Sequence, residues 1–283
     1  MKKVILFTII TILVLSLSCT SIIKGLTESL YEQKDAVLIE EGAPSYLILV
    51  EGLIKSSPDN KQYLLPGIQI FVAYGNAFVN DPDRKKIFAD KTKEWGLRLL
   101  RSYPKFKKYE NSKDRAEKEK LLESFLKSLG KKNVPEIFWA TNAWINWILN
   151  NLDTTDAFIE LPIARALIDR IYELDDTYYY GAPHLYIGVF YGAFPKDLGG
   201  DLDKAKEELE KALAISGDKL LLTKIFYAEY YLKPKNDKKA YEKVMKEILD
   251  YDVDKYPEMR LLNIVSQKQA GELLDNIDNS FYE

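Results

Sequence analysis

Apolar positions along the chain follow the spacing of helices. Beyond residue 40, apolar stretches of about 12 to 18 residues are separated by short polar breaks. There is no sustained two-residue alternation and no Asn-Gly or Asp-Gly hairpin turn in this part of the sequence. The pattern predicts an all-α protein, with helices at Ser45–Ser56, Pro66–Asn80, Pro82–Ser102, Lys113–Leu129, Val134–Asn150, Ile163–Leu174, Pro183–Phe194, Leu202–Ser216, Leu220–Leu232, Lys238–Asp250 and Pro257–Asn276.

Residues with strong end preferences mark several of these helix boundaries. Proline fits the first turn of a helix, where no N–H is needed, and aspartate caps helix N-termini. Glycine suits the left-handed position that follows many helices. The sequence therefore predicts first-turn prolines at Pro82, Pro183 and Pro257, N-caps at Asp201 and Asp237, and left-handed C-terminal positions at Gly130 and Gly217.

The predicted helices come in pairs, which favours a repeat architecture. Gly188 and Tyr191 lie three apart on one helix, and Ala205, Leu209 and Ala212 follow on the next helix. This is the skeleton of a tetratricopeptide repeat with a longer connecting turn at 195–200. Small residues at such positions let two helix backbones approach closely, while aromatic residues fill the gap to the next pair.

Two further helix pairs repeat this skeleton more loosely. In one pair, Ala228 and Tyr231 precede Ala240 and Val244. The other pair carries small and apolar residues at comparable places, namely Trp139 and Ala143 on its first helix and Ala164, Ile168 and Ile171 on its second. Three matches in tandem favour a helix-pair array with degenerate tetratricopeptide-like repeats over an irregular helical domain.

The beginning of the chain has the layout of a bacterial secretion signal. Two lysines precede an apolar run from Val4 to Leu15, which is too short for a convincing membrane-spanning helix. The following Ser16-Leu17-Ser18-Cys19 resembles a lipobox, although most lipoboxes carry Leu where Ser16 stands. We expect acylation of Cys19 and an extracytoplasmic protein held on a membrane face, inner or outer. The other interpretation is a cleaved signal with an incidental cysteine.

Charge and the helix pairs divide the chain further. Residues 105–130 are strongly charged, which is typical of a solvated helix face or a connector. The sequence thus predicts a signal peptide at 1–18, a lipidated N-terminus and tether at 19–40, an N-terminal helical portion at 41–104, a charged connector at 105–130 and a tetratricopeptide-like portion at 131–283. We expect the helical portions to form one continuous body.

Composition limits the chemistry that this chain can perform. Its 283 residues include one cysteine and one histidine. These counts exclude a disulfide framework, a Cys/His zinc site and any mechanism that needs two imidazoles. The net charge of −3 gives no sign of a nucleic-acid-binding footprint. We therefore expect no metal, no cofactor and no nucleic-acid partner.

His184 is the natural candidate for a general base. A hydrolase would pair it with Asp201 or Glu229 and a nearby Ser or Tyr, yet the sequence has no Gly-x-Ser-x-Gly motif. The favoured interpretation is a structural histidine, hydrogen-bonded at the start of a helix after Pro183.

A calcium site is rejected on the sequence. Asp250, Asp252 and Asp254 imitate the opening of a calcium loop. Lys255 and Leu261, however, stand where such a loop needs glycine and glutamate.

The Gly199-Gly200 pair before a helix could present N–H groups to an anion. Asp201 follows directly and would cap that helix itself, so a tight turn is the favoured interpretation. On the same helix, the glutamates at 207, 208 and 210 are expected to need no partner other than water.

Two predicted helical stretches, 138–149 and 185–194, are apolar almost all round, which requires central burial or an interface. Core packing explains most of their side chains. Three Trp within nine residues also suggest a ligand channel or a subunit contact. The candidate residues for lining such a pore or interface are aromatic: Trp139, Trp144, Trp147, Tyr186, Tyr191, Phe194, Tyr227 and Tyr230.

Several motifs in order resemble the TatT family, the T component associated with tripartite ATP-independent periplasmic (TRAP) transporters. The motifs are Val134–Ala140, Glu173–Asp176, Tyr179–His184, Leu198–Asp201 with Lys204-Ala205, Tyr227–Tyr231 and Pro257–Asn263. Together they span most of residues 130–283, and the helical segment from Ser45 to Ser102 is compatible with the N-terminal part of the family.

This resemblance implies an all-helical bacterial periplasmic lipoprotein that assembles as a homotrimer perforated by pores. It implies a non-enzymatic accessory that partners the periplasmic solute-binding subunit and helps to pass a ligand towards the permease, and a hydrophobic compound is the candidate ligand. It carries over no catalytic residues. The competing hypotheses are a general protein-interaction scaffold at the cell envelope without ligand transport, and a hydrolase that uses His184.

Overall fold

The computed structural model describes residues 25, 26 and 28–281, and all regular secondary structure in this part of the chain is helical. The predicted all-α class is confirmed for these residues. The α-helices are α1 (Ala36–Ser56), α2 (Lys61–Phe78), α3 (Pro82–Arg101), α4 (Pro104–Asn111), α5 (Arg115–Ser128), α6 (Val134–Asn150), α7 (Thr155–Leu174), α8 (Tyr178–Ala193), α9 (Leu202–Ser216), α10 (Leu222–Tyr227), α11 (Lys238–Leu249) and α12 (Arg260–Asp275). Residues 28–32 form a helical segment before α1, and a π-helical turn at Ala228–Leu232 continues α10. The predicted signal peptide and Cys19 lie outside the described residues.

Three helices begin earlier than the sequence predicted, because each of them contains a proline. Pro44, Pro66 and Pro162 lie inside α1, α2 and α7, whereas the prediction started these helices at or just after the proline. An interior proline leaves the carbonyl four residues earlier without its N–H partner. In α1 this carbonyl belongs to Glu40, and the hydroxyl of Tyr74 on α2 donates a hydrogen bond to it at 3.0 Å.

Most of the predicted helix-end signals are confirmed. These are the N-caps Asp201 and Asp237 and the first-turn prolines Pro82 and Pro257. Gly217 has the positive φ, 57°, that favours glycine, but its ψ of −129° lies outside the left-handed helical region. The prediction for Gly130 is wrong, because its backbone is extended with φ −124°. A short 3-10 turn begins directly after it, so the chain passes from α5 to α6 without a left-handed residue.

The larger hydrophobic cluster is built mainly from α1, α2, α3, α6 and α7. The backbones of α3 and α6 touch at Gly96, where a Cβ would lie 3.0 Å from the carbonyl oxygen of Ala140. Helices α4 and α5 occupy the predicted charged connector, and they bury Phe106, Tyr109 and Phe125 against this cluster. The connector therefore has an apolar side that belongs to the core.

A second hydrophobic cluster is built from α9 to α12 and the π-helical turn, and α8 lies between the two clusters. Leu185 of α8 belongs to the second cluster, while Ala182 and Ile187 belong to the first. Close packing of α8 on α9 depends on Gly188, since a Cβ there would lie 2.6 Å from Cγ of Leu209. The first half of the predicted stretch 185–194 is mostly buried and its second half is partly exposed, so both alternatives, central burial and an interface, stay open for that half. The tetratricopeptide assignment stays a prediction.

Candidate functional site

The chain passes through three successive left-handed residues near the start of α8. Tyr179, Tyr180 and Gly181 have φ values of 44°, 60° and 77°. Left-handed backbone is easy for glycine but costs roughly 1–2 kcal/mol for a residue with a side chain. The packing of the two tyrosine side chains must offset this cost. Right-handed helix resumes at Ala182, and Pro183 fits its first turn.

Tyr179 packs into an aromatic cluster that joins α6 to the start of α8. The aromatic cluster consists of Phe138, Trp139, Tyr178, Tyr179 and Tyr186. The ring of Tyr179 lies edge-on to Trp139 at 4.9 Å, and Phe138 lies 5.0 Å from Tyr178 and 6.2 Å from Tyr186. Edge-to-face pairs of this kind add about 0.5–1.5 kcal/mol each beyond simple burial. Two of the predicted lining residues, Trp139 and Tyr186, therefore meet here through Phe138.

The hydroxyl groups of Tyr179 and Tyr186 in the aromatic cluster are almost entirely enclosed. Burial raises the pKa of Tyr179 and of Tyr186, so both phenols stay neutral. The side-chain amide of Asn142 donates a hydrogen bond to the hydroxyl of Tyr186. The other amide atom of Asn142, its Oδ1, is buried and has no hydrogen-bond partner among the described residues. The apolar rings of the cluster therefore lie beside one unpaired hydrogen-bond acceptor, Oδ1 of Asn142.

Trp144 and Trp147 make their contacts with α3 and α7 instead. The indole of Trp144 donates to Glu160 on α7, and that of Trp147 donates to Asp90 on α3 at 2.7 Å. Lys93 lies 3.2 Å above the Trp147 ring and 2.6 Å from the Glu160 carboxylate. These polar and cation–π contacts hold three helices together, which gives both tryptophans a structural role.

Tyr191 and Phe194 lie near the end of α8. Tyr191 is flanked by two cations, with the guanidinium of Arg165 at 5.2 Å and the ammonium of Lys204 at 5.3 Å from its ring centre. Phe194 packs on Phe190 at 5.2 Å. Both rings are partly buried at the outer end of the helix, where they border α7 and α9.

Tyr227 and Tyr230 lie on α10 and the π-helical turn. Tyr227 contacts Tyr231 at 5.2 Å, and Tyr230 lies edge-on to Phe226 at 5.6 Å. The carbonyl of Tyr230 lies against Gly192 of α8, where a Cβ would collide with it. The eight predicted residues therefore fall into four groups in the molecule, and their role in lining a pore or an interface stays a prediction.

His184 is buried just behind the left-handed turn. Its Nδ1 lies 2.6 Å from Oε2 of Glu208, and its Nε2 lies 3.5 Å from Oδ2 of Asp176. Tyr172 stacks edge-on against the imidazole at 4.8 Å. The predicted hydrogen bond of His184 near the start of a helix is confirmed, and its purely structural role stays a prediction.

The partners of His184 differ from those that the hydrolase hypothesis named. Asp201 caps α9, and Glu229 accepts a hydrogen bond from Tyr241. The expectation that Glu208 needs only water is wrong, because its side chain is largely buried and also binds Lys211 at 2.9 Å. The sequence does not reveal this contact, because His184 and Glu208 are 24 residues apart and come together only when α8 packs on α9.

The acidic residues of the rejected calcium loop have other partners. Asp254 binds Lys34 and Arg260, each at 2.7 Å. Within the part of the chain that the structure describes, no group of acidic, histidine or cysteine side chains is arranged to hold a metal ion.

The described residues form an all-helical protein in which an aromatic cluster joins α6 to α8. Within the described residues, no helix has both the length and the apolar character needed to cross a membrane. The family described as TRAP transporter T-component matches residues 32–281, and the chain belongs to this family. The resemblance found in the sequence is thereby confirmed. This is a family of transporter components and not of enzymes.

The chain is also similar to a protein of Treponema pallidum (strain Nichols) described as uncharacterized. The two are 23% identical over 279 residues, which covers 89% of this chain and 82% of that protein. The similarity thus extends over most of both chains, in agreement with the family match.

Proposed function

We propose that this protein is a periplasmic, lipid-anchored accessory of a TRAP transporter, which binds the solute-binding subunit and takes part in passing an apolar ligand. The observation that carries the proposal is the family match over 32–281, which includes every helix from α1 to α12. The accessory would act by binding and not by catalysis.

In this proposal the apolar ligand would contact the aromatic cluster. The rings of Phe138 and Trp139 are buried, so a ligand would reach them only when the cluster opens, and the neutral phenols of Tyr179 and Tyr186 add no charge. Oδ1 of Asn142 offers one acceptor that a ligand hydroxyl or amide could use. Ligand sites are commonly of this kind, with apolar walls and a few polar groups.

Three further features belong to the proposal. Acylation of Cys19 would anchor the protein to a membrane, and mass spectrometry of the protein from its own membrane tests for acyl groups on this residue. A homotrimer would be the working assembly, which sedimentation equilibrium measures. The partner would be the solute-binding subunit of the same transporter.

The decisive experiment measures the association of the purified protein with that solute-binding subunit by calorimetry, with and without transported solute. We expect saturable binding. Trp139→Leu should weaken ligand-dependent association because it opens the aromatic cluster, whereas Trp147→Leu should leave it unchanged after correction for stability. Absence of association in every condition, together with normal uptake in cells that lack the protein, would reject the accessory role.

A further inference from the structure

Helices α4 and α5 and the 3-10 turn after them carry an excess of positive charge. Residues 104–133 contain ten lysines and arginines against five aspartates and glutamates, whereas the remaining chain has 30 against 38. One segment of an otherwise acidic chain is therefore basic. Charge that is distributed so unevenly creates a local potential that attracts anions to one side of a molecule.

Buried aromatic residues determine which sides of α4 and α5 face solvent. Phe106 and Tyr109 of α4 and Phe125 of α5 pack into the larger hydrophobic cluster. The lysines of these helices that point away from the core are exposed. Five exposed lysines that form no ion pair among the described residues are here called the basic face: Lys107, Lys108, Lys113, Lys120 and Lys132.

Most carboxylates of this segment are already engaged. Glu110 binds Arg101 of α3 at 2.8 Å, which compensates its charge. Asp114 caps α5 and accepts a hydrogen bond from the N–H of Glu117 at 2.7 Å. The remaining two glutamates form exposed pairs with cations of the same helix, Arg115–Glu119 and Lys127–Glu123. The cations of the basic face therefore stay available to an external anion.

The chemistry of the basic face favours a lipid surface over a protein. Nine of its segment's ten cations are lysines, whose compact ammonium groups lack the planar fork with which arginine binds a single carboxylate in a fixed geometry. In residues 104–133, which the structure describes throughout, no large apolar side chain is exposed. Stable protein interfaces have an apolar or aromatic centre and few lysines. Clustered lysines suit the diffuse negative charge of anionic lipid headgroups.

We propose that the basic face docks on the anionic headgroups of a phospholipid membrane and thereby orients the protein on that membrane. The proposal rests on the proposed function only for the presence of a membrane close to the protein. Neither an acyl group nor a transporter subunit is needed for its test, so the two proposals can fail separately.

The first experiment compares vesicles of phosphatidylcholine with and without phosphatidylglycerol. The full-length chain with Cys19→Ser lacks the expected acylation site, and its cosedimentation with vesicles measures the affinity. We expect affinity for the anionic vesicles to be higher by about tenfold or more. The apolar stretch near the N-terminus is common to both measurements, so the difference reports on charge. Equal affinity for both kinds of vesicle would overturn the proposal.

The second experiment removes part of the basic face. Lys107→Gln with Lys108→Gln should lower affinity for the anionic vesicles by about tenfold and leave affinity for neutral vesicles unchanged. Lys239→Gln with Lys268→Gln is the matched control, because both lysines are exposed and the net charge changes equally. Circular dichroism verifies the fold of both variants. The same loss in the control would show that net charge, and not this face, governs binding.

Ionic strength provides an independent readout. Raising the salt concentration from about 0.1 M to about 1 M shortens the Debye length from about 10 Å to about 3 Å. The preference of the parent protein for anionic vesicles should disappear over this range. A preference that survives high salt would contradict docking through headgroup charge.

An acidic protein surface is the competing occupant. Calorimetry with the solute-binding subunit tests it, and we expect Lys107→Gln with Lys108→Gln to leave that association unchanged. Loss of the association together with unchanged vesicle binding would assign the basic face to a protein partner and overturn the proposal. If the subunit does not bind even the parent protein, the accessory role is weakened, while the vesicle measurements still decide the membrane contact.

Discussion

A single buried polar side chain can hold the segment between two helices in place in this protein. Asn263 of α12 is fully buried, and its Oδ1 accepts a hydrogen bond from the backbone N–H of Leu221 at 3.0 Å. Its Nδ2 donates to the carbonyl of Lys219 at 2.9 Å. One side chain thus satisfies two backbone groups of the segment that leads into α10, which would otherwise be costly to bury.

We therefore expect Asn263→Ala to lower the free energy of unfolding by about 2–3 kcal/mol, because both backbone groups lose their partner. Chemical denaturation followed by circular dichroism measures this loss. Asn276→Ala is the control, since Asn276 is exposed and its side-chain amide donates to the carbonyl of Glu272 within the same helix end. Equal losses in the two variants would show that Asn263 has no special role.

Two glycines should respond in opposite directions to the same substitution. Gly192 lies against the carbonyl of Tyr230, so Gly192→Ala should destabilise the protein by about 1–3 kcal/mol. Gly52 lies in α1 with open space around it, so Gly52→Ala should stabilise the protein by about 0.5–1 kcal/mol. Thermal unfolding compares the two. A loss of stability in both variants would contradict the packing described for Gly192.

Residue roles were predictable only where the cause is local in sequence. The caps Asp201 and Asp237 follow from their places before amphipathic helices, and the structure confirms them. Glu208 and Asn263 act on residues 24 and 42 positions away, respectively. Nothing in the spacing of a single sequence pairs residues that are so far apart.

Interior prolines illustrate how one element completes another. Pro44 leaves the Glu40 carbonyl of α1 without an N–H, and Tyr74 of α2 supplies the missing donor. The helix can continue through its proline partly because its neighbour satisfies the carbonyl. The sequence predicted helix boundaries at these prolines because the stabilising partner helix is not evident from the sequence.

A double-mutant cycle tests this arrangement. Tyr74→Phe should cost about 1 kcal/mol when Pro44 is present, because the Glu40 carbonyl loses its donor. In the Pro44→Ala background the same change should cost little, since the N–H of the new alanine bonds to Glu40. Urea denaturation of all four proteins gives the coupling. Equal costs in both backgrounds would mean that the hydroxyl does not compensate for the proline.

The existence of most helices was predictable, while α4 and the turn before Ala182 were not. α4 has eight residues and a strongly charged sequence, so its two buried aromatic residues give too short a pattern to recognise. The left-handed backbone of Tyr179 and Tyr180 has no sequence signal, because tyrosine has no preference for it. Tertiary packing determines both features.

At the scale of the whole molecule, α8 makes the two hydrophobic clusters interdependent. All four tryptophans lie in or against the larger cluster, so their fluorescence reports on that half alone. Circular dichroism reports on helices in both halves. The two signals can therefore distinguish joint unfolding from stepwise unfolding.

Met245→Ala should reveal this coupling. Met245 is fully buried in the second cluster, and its truncation should cost about 2–5 kcal/mol. Because α8 belongs to both clusters, we expect the midpoints of the fluorescence and circular dichroism transitions to fall together. A tryptophan signal that stays at its original midpoint while helicity is lost earlier would show that the clusters unfold independently.

The candidate site was predictable in composition but not in arrangement. Excess aromatic residues on α6 and α8 correctly indicated where helices are buried on several sides, and Trp139 and Tyr186 meet in the aromatic cluster. Helical spacing in the sequence does not reveal that Trp144 contacts α7 and that Trp147 contacts α3.

The left-handed turn before Ala182 restricts which sequences can adopt this fold. Valine, isoleucine and threonine branch at the Cβ and fit poorly at φ values of 44° and 60°. Libraries of variants at positions 179 and 180, selected for folded protein, should therefore be depleted of these three residues. Asparagine and glycine should be retained, because both tolerate a left-handed backbone. Only an aromatic residue at 179 would also keep the ring contact with Trp139. Position 179 therefore requires both a residue that tolerates a left-handed backbone and a side chain large enough to contact Trp139.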